Sequence, residues 1–133
     1  MTAEEVAATT PAAVLVPVAV AAPYTYRAPD DVKAGDIVSV PLGTRAVVGV
    51  VWDDPADASV GHNRLRPIEG RFATPPLSGE IRRFVDWVAD YLAGIEEHPV
   101  VPDVAPGDVR SWLPPGPPER PEPFADVLAD LDR

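Results

Sequence analysis

The sequence predicts an α+β fold: a small, twisted, partly closed β-barrel with one packed C-terminal helix, followed by an irregular tail. Three observations carry that reading. Short Val-rich runs, each bounded by proline or glycine, fill residues 14–68. A single stretch near 79–93 repeats apolar residues at helical spacing. From Gly94 onward prolines and acids take over. The implied organisation is a disordered leader over 1–12, one folded domain over 13–93, and a Pro-rich acidic tail with a short terminal helix over 94–133.

Taken along the chain, residues 14–20 read as a nearly continuous apolar strand, with Pro17 placing it at an edge or a bulge because proline has no backbone donor. Tyr24-Thr25-Tyr26 is extended, since Pro23 and Pro29 both disfavour helix beside them. Residues 30–36 form a turn in which Gly35 supplies a positive φ. Ile37, Val38 and Val40 form the next strand, 41–45 a hairpin loop, and 46–52 the returning strand. Gly49 in that strand signals a bulge, a bend or a close backbone approach. Residues 53–63 are a polar loop, 65–68 a short edge strand, and 70–76 irregular. The helix has Ser78 as N-cap and Glu80 in its first turn. Ile81, Phe84, Val85, Val88, Ala89 and Leu92 line one face, and Gly94 is its stop signal. In the tail, Phe124, Val127, Leu128 and Leu131 make one stripe on a short helix that needs something to pack on.

Composition excludes several classes. Without cysteine there are no disulfides and no cysteine-based metal site. The net charge of −10 argues against a generic nucleic-acid coat protein. That charge is uneven: residues 1–93 hold 12 acids and 8 bases, whereas 94–133 hold 9 and 3. The first ten residues lack the basic n-region of a signal peptide, and the apolar run after them is too short to span a bilayer. No phosphate loop, dinucleotide fingerprint, zinc-helix motif or nucleophile elbow is present. His62 and His98 read as solvated, and Asp53, Asp54 and Asp57 as acids that cap turns rather than hold a metal. What remains is aromatic and basic. Tyr24 and Tyr26 share one strand face, where they form core or offer rings to a base or a peptide. Arg45 and Arg66 are available as phosphate contacts.

The order and spacing of several segments then go beyond composition. These are Val16-Pro17-Val18, residues 24–29 (Tyr-Thr-Tyr-Arg-Ala-Pro), residues 34–43 (Ala-Gly-Asp-Ile-Val-Ser-Val-Pro-Leu-Gly), Val48-Gly49-Val50-Val51-Trp52, Leu65-Arg66-Pro67-Ile68, and residues 84–91. Together they resemble the N-terminal domain of the primosomal protein N′ family, the PriA replication-restart helicases, over residues 14–92. The resemblance implies a domain that binds single-stranded or forked DNA, with a pocket for the 3′-terminal nucleotide of a nascent strand at a stalled replication fork. Carried over by position, Tyr24 and Tyr26 take the two aromatic places. Thr25 stands where the family usually has aspartate, offering a hydroxyl without a charge. Gly43 is the corner glycine whose missing side chain admits the nucleotide, and Arg66 stands beside the terminal phosphate. Arg45 is a further phosphate contact. No cofactor or metal is implied, the location is cytoplasmic, and other primosome proteins join DNA as partners. The family's winged-helix domain, ATP-dependent helicase core and zinc module lie outside this chain, so it is expected to be no enzyme by itself: a truncated, frame-shifted or orphan N-terminal module. The alternative is a protein-interaction barrel that binds a Pro-rich or extended peptide, including its own tail.

Overall fold

The computed structural model describes residues 9–101 and 103–132. They fall into two compact units, Met1–Arg82 and Arg83–Arg133. In the first, five antiparallel strands curl into a half-barrel: β1 (Thr9–Leu15), β2 (Tyr24–Pro29), β3 (Ile37–Leu42), β4 (Arg45–Val51) and β5 (Gly70–Arg71). Their spatial order is β2-β1-β4-β3-β5.

β1 lies further toward the N-terminus than its apolar residues suggest. It pairs with β2 from Thr9↔Pro29 to Val14↔Tyr24, so residues 9–12, expected in the leader, are strand. Residues 1–8 lie outside the described residues. The ladder to β2 outweighs the weak strand propensity of Pro11 and the alanines. β4 meets β1 at Val14 and Leu15 alone, so Pro11 stands where β1 has one neighbour and its missing donor costs nothing. The strand ends at Leu15, and the Val18 N–H donates to the Val16 carbonyl at 2.8 Å, a tight turn centred on Pro17.

Two glycines shape the next hairpin. Gly35 has φ +96°, and a Cβ there would run into the Leu77 carbonyl oxygen. Gly43 has φ +62° and opens a two-residue turn, Gly43-Thr44, between Leu42 and its partner Arg45. A positive φ at the first position alone is the type II′ pattern that suits strand twist. The core is a cluster of Val14, Tyr26, Val38, Val40 and Val51, with Ala12, Val16, Val32, Val47 and Ile68 packed against it. Each fully buried valine contributes roughly 1.5–3 kcal/mol.

Residues 65–68 do not form a strand of their own. Arg27 of β2 donates its N–H to the Arg66 carbonyl (2.9 Å) and accepts from the Ile68 N–H (3.0 Å), a single parallel bridge opposite Pro67. The fifth strand is instead β5, inside the expected irregular stretch, where Val38 pairs with Arg71 and Ser39 with Gly70. Arg71 also binds the Asp31 carboxylate at 2.9 Å, closing the turn before β3.

α1 (Gly79–Ala93) forms where its periodicity places it, with the Ile81 N–H donating to the Ser78 hydroxyl at 3.3 Å. Its start is fastened to the half-barrel. Arg82 grips Asp53 through both carboxylate oxygens, at 2.6 and 3.1 Å, and also donates to the Leu77 carbonyl; the Leu77 N–H donates to Gly35 (2.9 Å). In the second unit, α1 runs on, followed by α2 (Asp108–Trp112) and α3 (Phe124–Leu131). The terminal helix is where its stripe predicts it. No residue of α1, α2 or α3 is buried, and Phe84, Val85 and Leu92 of the apolar stripe remain 42–58% exposed.

Candidate functional site

The half-barrel carries a cleft of about 230 Å³ at its hairpin corner. Three stretches, far apart in sequence, build its walls. β2 supplies Tyr24, Thr25 and Tyr26; the end of β3 and the following turn supply Pro41, Leu42 and Gly43; a third wall comes from Val60, Arg64, Leu65 and Arg66. The Arg27–Arg66 and Ile68–Arg27 backbone bonds draw that third wall against β2. The residues anticipated from sequence, Tyr24, Thr25, Tyr26, Gly43 and Arg66, thus line one cleft, while Arg45 is not among its lining residues.

Their roles divide by burial. Tyr24, at the end of β2 where the core face runs out, is 40% exposed and offers a ring at the cleft. Tyr26 is 4% exposed and belongs to the core cluster; its hydroxyl donates to the Pro41 carbonyl at 3.0 Å. Burial pushes its phenol pKa up, Tyr24 adds to the rise, and Arg66 pulls the other way. Tyr26 is a wall and a strut; Tyr24 is the open ring.

Arg66 extends Nη1 to the Gly43 carbonyl at 2.9 Å, so the guanidinium sits at the corner. At Gly43 a Cβ would meet nothing within 4 Å, and it is the positive φ that calls for glycine. Thr25 accepts the Asp57 N–H on its Oγ1 at 2.8 Å, which ties the 53–63 loop to β2 and leaves the hydroxyl hydrogen to donate elsewhere. Within that loop, hydrogen bonds from Ser59 hold the Asp57 carboxyl below its usual range. Asp57 caps a turn, as expected, whereas Asp53, expected to do the same, binds Arg82 instead. Among the described residues no group of three histidine, cysteine or acidic side chains is placed to hold a metal ion. Nor is any described helix long and apolar enough to cross a membrane.

Arg64 escaped the sequence reading. It is brought to the cleft by a 3-10 turn, His62–Arg64, too short for any periodic signal. Two arginines on one wall give this cleft a local positive charge within a chain of net charge −10.

A concave site with one exposed aromatic ring, two guanidiniums and a backbone corner, set on a curled five-stranded sheet, defines a class: a small β-domain with an aromatic and basic cleft. The chain belongs to the 3′DNA-binding domain (3′BD) family of PriA, whose model matches residues 13–96. Residues 13–96 are therefore a domain of the DNA-binding kind that PriA carries.

Among curated proteins, the chain is similar over short stretches to enzymes of a different kind. It is 45% identical over 60 residues to the aromatic-L-amino-acid decarboxylase of Rattus norvegicus, which is 42% of this chain and 12% of that protein. The Cavia porcellus decarboxylase is 46% identical over 52 residues, 39% of this chain and 11% of that protein. Tryptophan decarboxylase TDC2 of Camptotheca acuminata is 43% identical over 54 residues, 41% and 11%. The chain spans about 12% of the length of the rat relative.

Proposed function

We propose that the hairpin-corner cleft receives the 3′-terminal nucleotide of a DNA strand at a stalled replication fork, and that this chain acts by binding rather than by catalysis. The observation that carries the reading is that Tyr24, Gly43 and Arg66 line a single cleft. Tyr24 stacks on the terminal base; such stacking contributes about 1–3 kcal/mol per base. Arg66 and Arg64 face the phosphate on the 5′ side of that nucleotide, where guanidinium geometry suits phosphate oxygens. The Thr25 hydroxyl donates to the terminal 3′-hydroxyl, a weaker partner than the carboxylate usual at that place in the family. A cleft of about 230 Å³, below the ~300–1,000 Å³ of drug-sized pockets, suits the end of a strand. The strand is single-stranded or the end of a fork arm, the setting is the cytoplasm, and the partners beyond DNA are other primosome proteins.

The test is fluorescence anisotropy with matched strands ending in 3′-hydroxyl or 3′-phosphate, at low salt because phosphate contacts weaken as salt rises. The expected result is a preference for the 3′-hydroxyl strand. Equal binding to both, unchanged by Tyr24→Ala, would turn the cleft over to an extended peptide instead.

A further inference from the structure

The second unit, Arg83–Arg133, carries a surface that the DNA reading does not use. No residue of its helices is fully buried, and several large apolar side chains stand open: Leu92 is 58% exposed, Trp112 54% and Leu131 54%. Large apolar side chains left open on three helices of one unit are what an interaction surface is made of. Its charge is as lopsided as its burial, eleven acids against four bases between residues 83 and 133.

One cleft concentrates both properties. Trp87, Tyr91 and His98 form a stacked ladder, with ring centroids 5.6 Å apart for Trp87–Tyr91 and 4.6 Å for Tyr91–His98. Beside them a cleft of about 340 Å³ is edged by Asp90, Glu97 and Asp132. Asp132 is held in place by the Trp87 indole, which donates to its Oδ1 at 2.8 Å. Asp90 and Glu97 make no ion pair among the described residues. Elsewhere in the same unit, the Arg83 guanidinium lies over the Phe124 ring, 5.8 Å from its centroid, so a cation on an aromatic face is a contact this unit makes with itself. Rings and carboxylates that converge on one opening hold an ammonium or guanidinium group twice over, by charge and by the ring quadrupole.

We propose that this unit is a docking surface for a basic amphipathic helix of a partner protein, with a lysine or arginine of that helix seated in the Trp87–Tyr91–His98 cleft. The apolar side chains of α1, α2 and α3 take the partner's apolar face, in the manner of helix-in-groove recognition. The surrounding acids favour a cationic partner over a second copy of this chain, which would bring the same negative charge against itself. This reading is independent of the 3′-end cleft.

The probe is a fluorescent two-faced helical peptide of leucine and lysine about four turns long, titrated with the full chain and compared with the same peptide carrying glutamate for lysine. The Leu/Lys peptide is expected to bind and the Leu/Glu peptide not to. Asp90→Lys combined with Glu97→Lys is expected to weaken binding about tenfold, the scale of removing two attractive pairs and adding two repulsive ones. The matched pair Asp103→Lys and Glu119→Lys makes the same change in net charge away from the cleft and is expected to change affinity less than about twofold. Equal weakening by both pairs would reduce the effect to bulk charge and overturn the proposal. So would equal binding of the two peptides, or no binding of either. Sedimentation that showed the chain self-associating through this face, with association lost in Asp90→Lys plus Glu97→Lys, would give the surface to a second copy and overturn it as well.

Discussion

Tyr24 and Tyr26 are two residues apart on one strand face, yet the core ends between them. Tyr26 lies among Val14, Val38 and Val40, and its hydroxyl satisfies the Pro41 carbonyl. Tyr26→Phe is expected to cost about 0.5–1.5 kcal/mol, read from denaturant midpoints, because a buried acceptor loses its donor. Tyr24→Ala is expected to leave stability nearly unchanged while weakening 3′-end binding by about 1–3 kcal/mol, measured by anisotropy. Two substitutions of the same residue type thus separate fold from binding. Asp53 contributes a pH dependence that a single substitution can isolate. The Arg82 guanidinium hydrogen-bonded to it holds its carboxyl below the usual range. A depressed folded pKa means that the contribution is present at neutral pH and lost as pH falls through the unfolded value near 4 and then the folded one. The melting-temperature gap between wild type and Asp53→Asn is therefore expected to close between about pH 5 and pH 3. Asp53 is half exposed, so the gap itself is small.

At the scale of the element, glycines with different reasons call for different outcomes. Gly43 needs its positive φ but has open space around a Cβ, so Gly43→Ala is expected to destabilise by about 1–2 kcal/mol through backbone conformation alone. Gly49 lies where β4 touches β1, and a Cβ there would be 2.6 Å from Val14 Cγ1 and 2.8 Å from the Leu15 carbonyl. Gly49→Ala is expected to cost 1–3 kcal/mol or more as that packing gives way; urea unfolding of both variants checks the pair. β2, β3, β4 and α1 were legible because alternation, turn glycines and helical spacing all agreed there. β1 was displaced from its apolar run because a long ladder to β2 is a nonlocal gain that no window of sequence contains. β5 is two residues long and has no period to read. At the cleft, Tyr24, Gly43 and Arg66 were legible through family spacing, whereas Arg64 depends on a 3-10 turn and Tyr26's burial on four valines from other strands.

For the molecule as a whole, the two units differ in what holds them. The first has a buried valine core; the helices of the second bury no residue. Amide exchange is expected to be slow in β2, β3 and β4 and fast in α2 and α3, whose opening exposes little further apolar area. Net charge and site charge also point in opposite directions. If Arg64 and Arg66 are the phosphate contacts, the logarithm of DNA affinity should fall with the logarithm of salt at a slope of about −1.4, the value for two contacts on a single strand. A much steeper slope would mean contacts beyond the cleft. The bridge from Arg27 to Arg66 and Ile68 does more than hold a wall of that cleft. It occupies both main-chain groups of Arg27 on the outer side of β2, and Pro67, opposite Arg27, has no N–H with which to extend a ladder. An open sheet is a template for other chains wherever its margin is bare, and here the β2 margin is stoppered midway by a segment whose central residue has no N–H to offer. The segment that shapes the candidate cleft is thereby also the guard of the sheet's β2 edge.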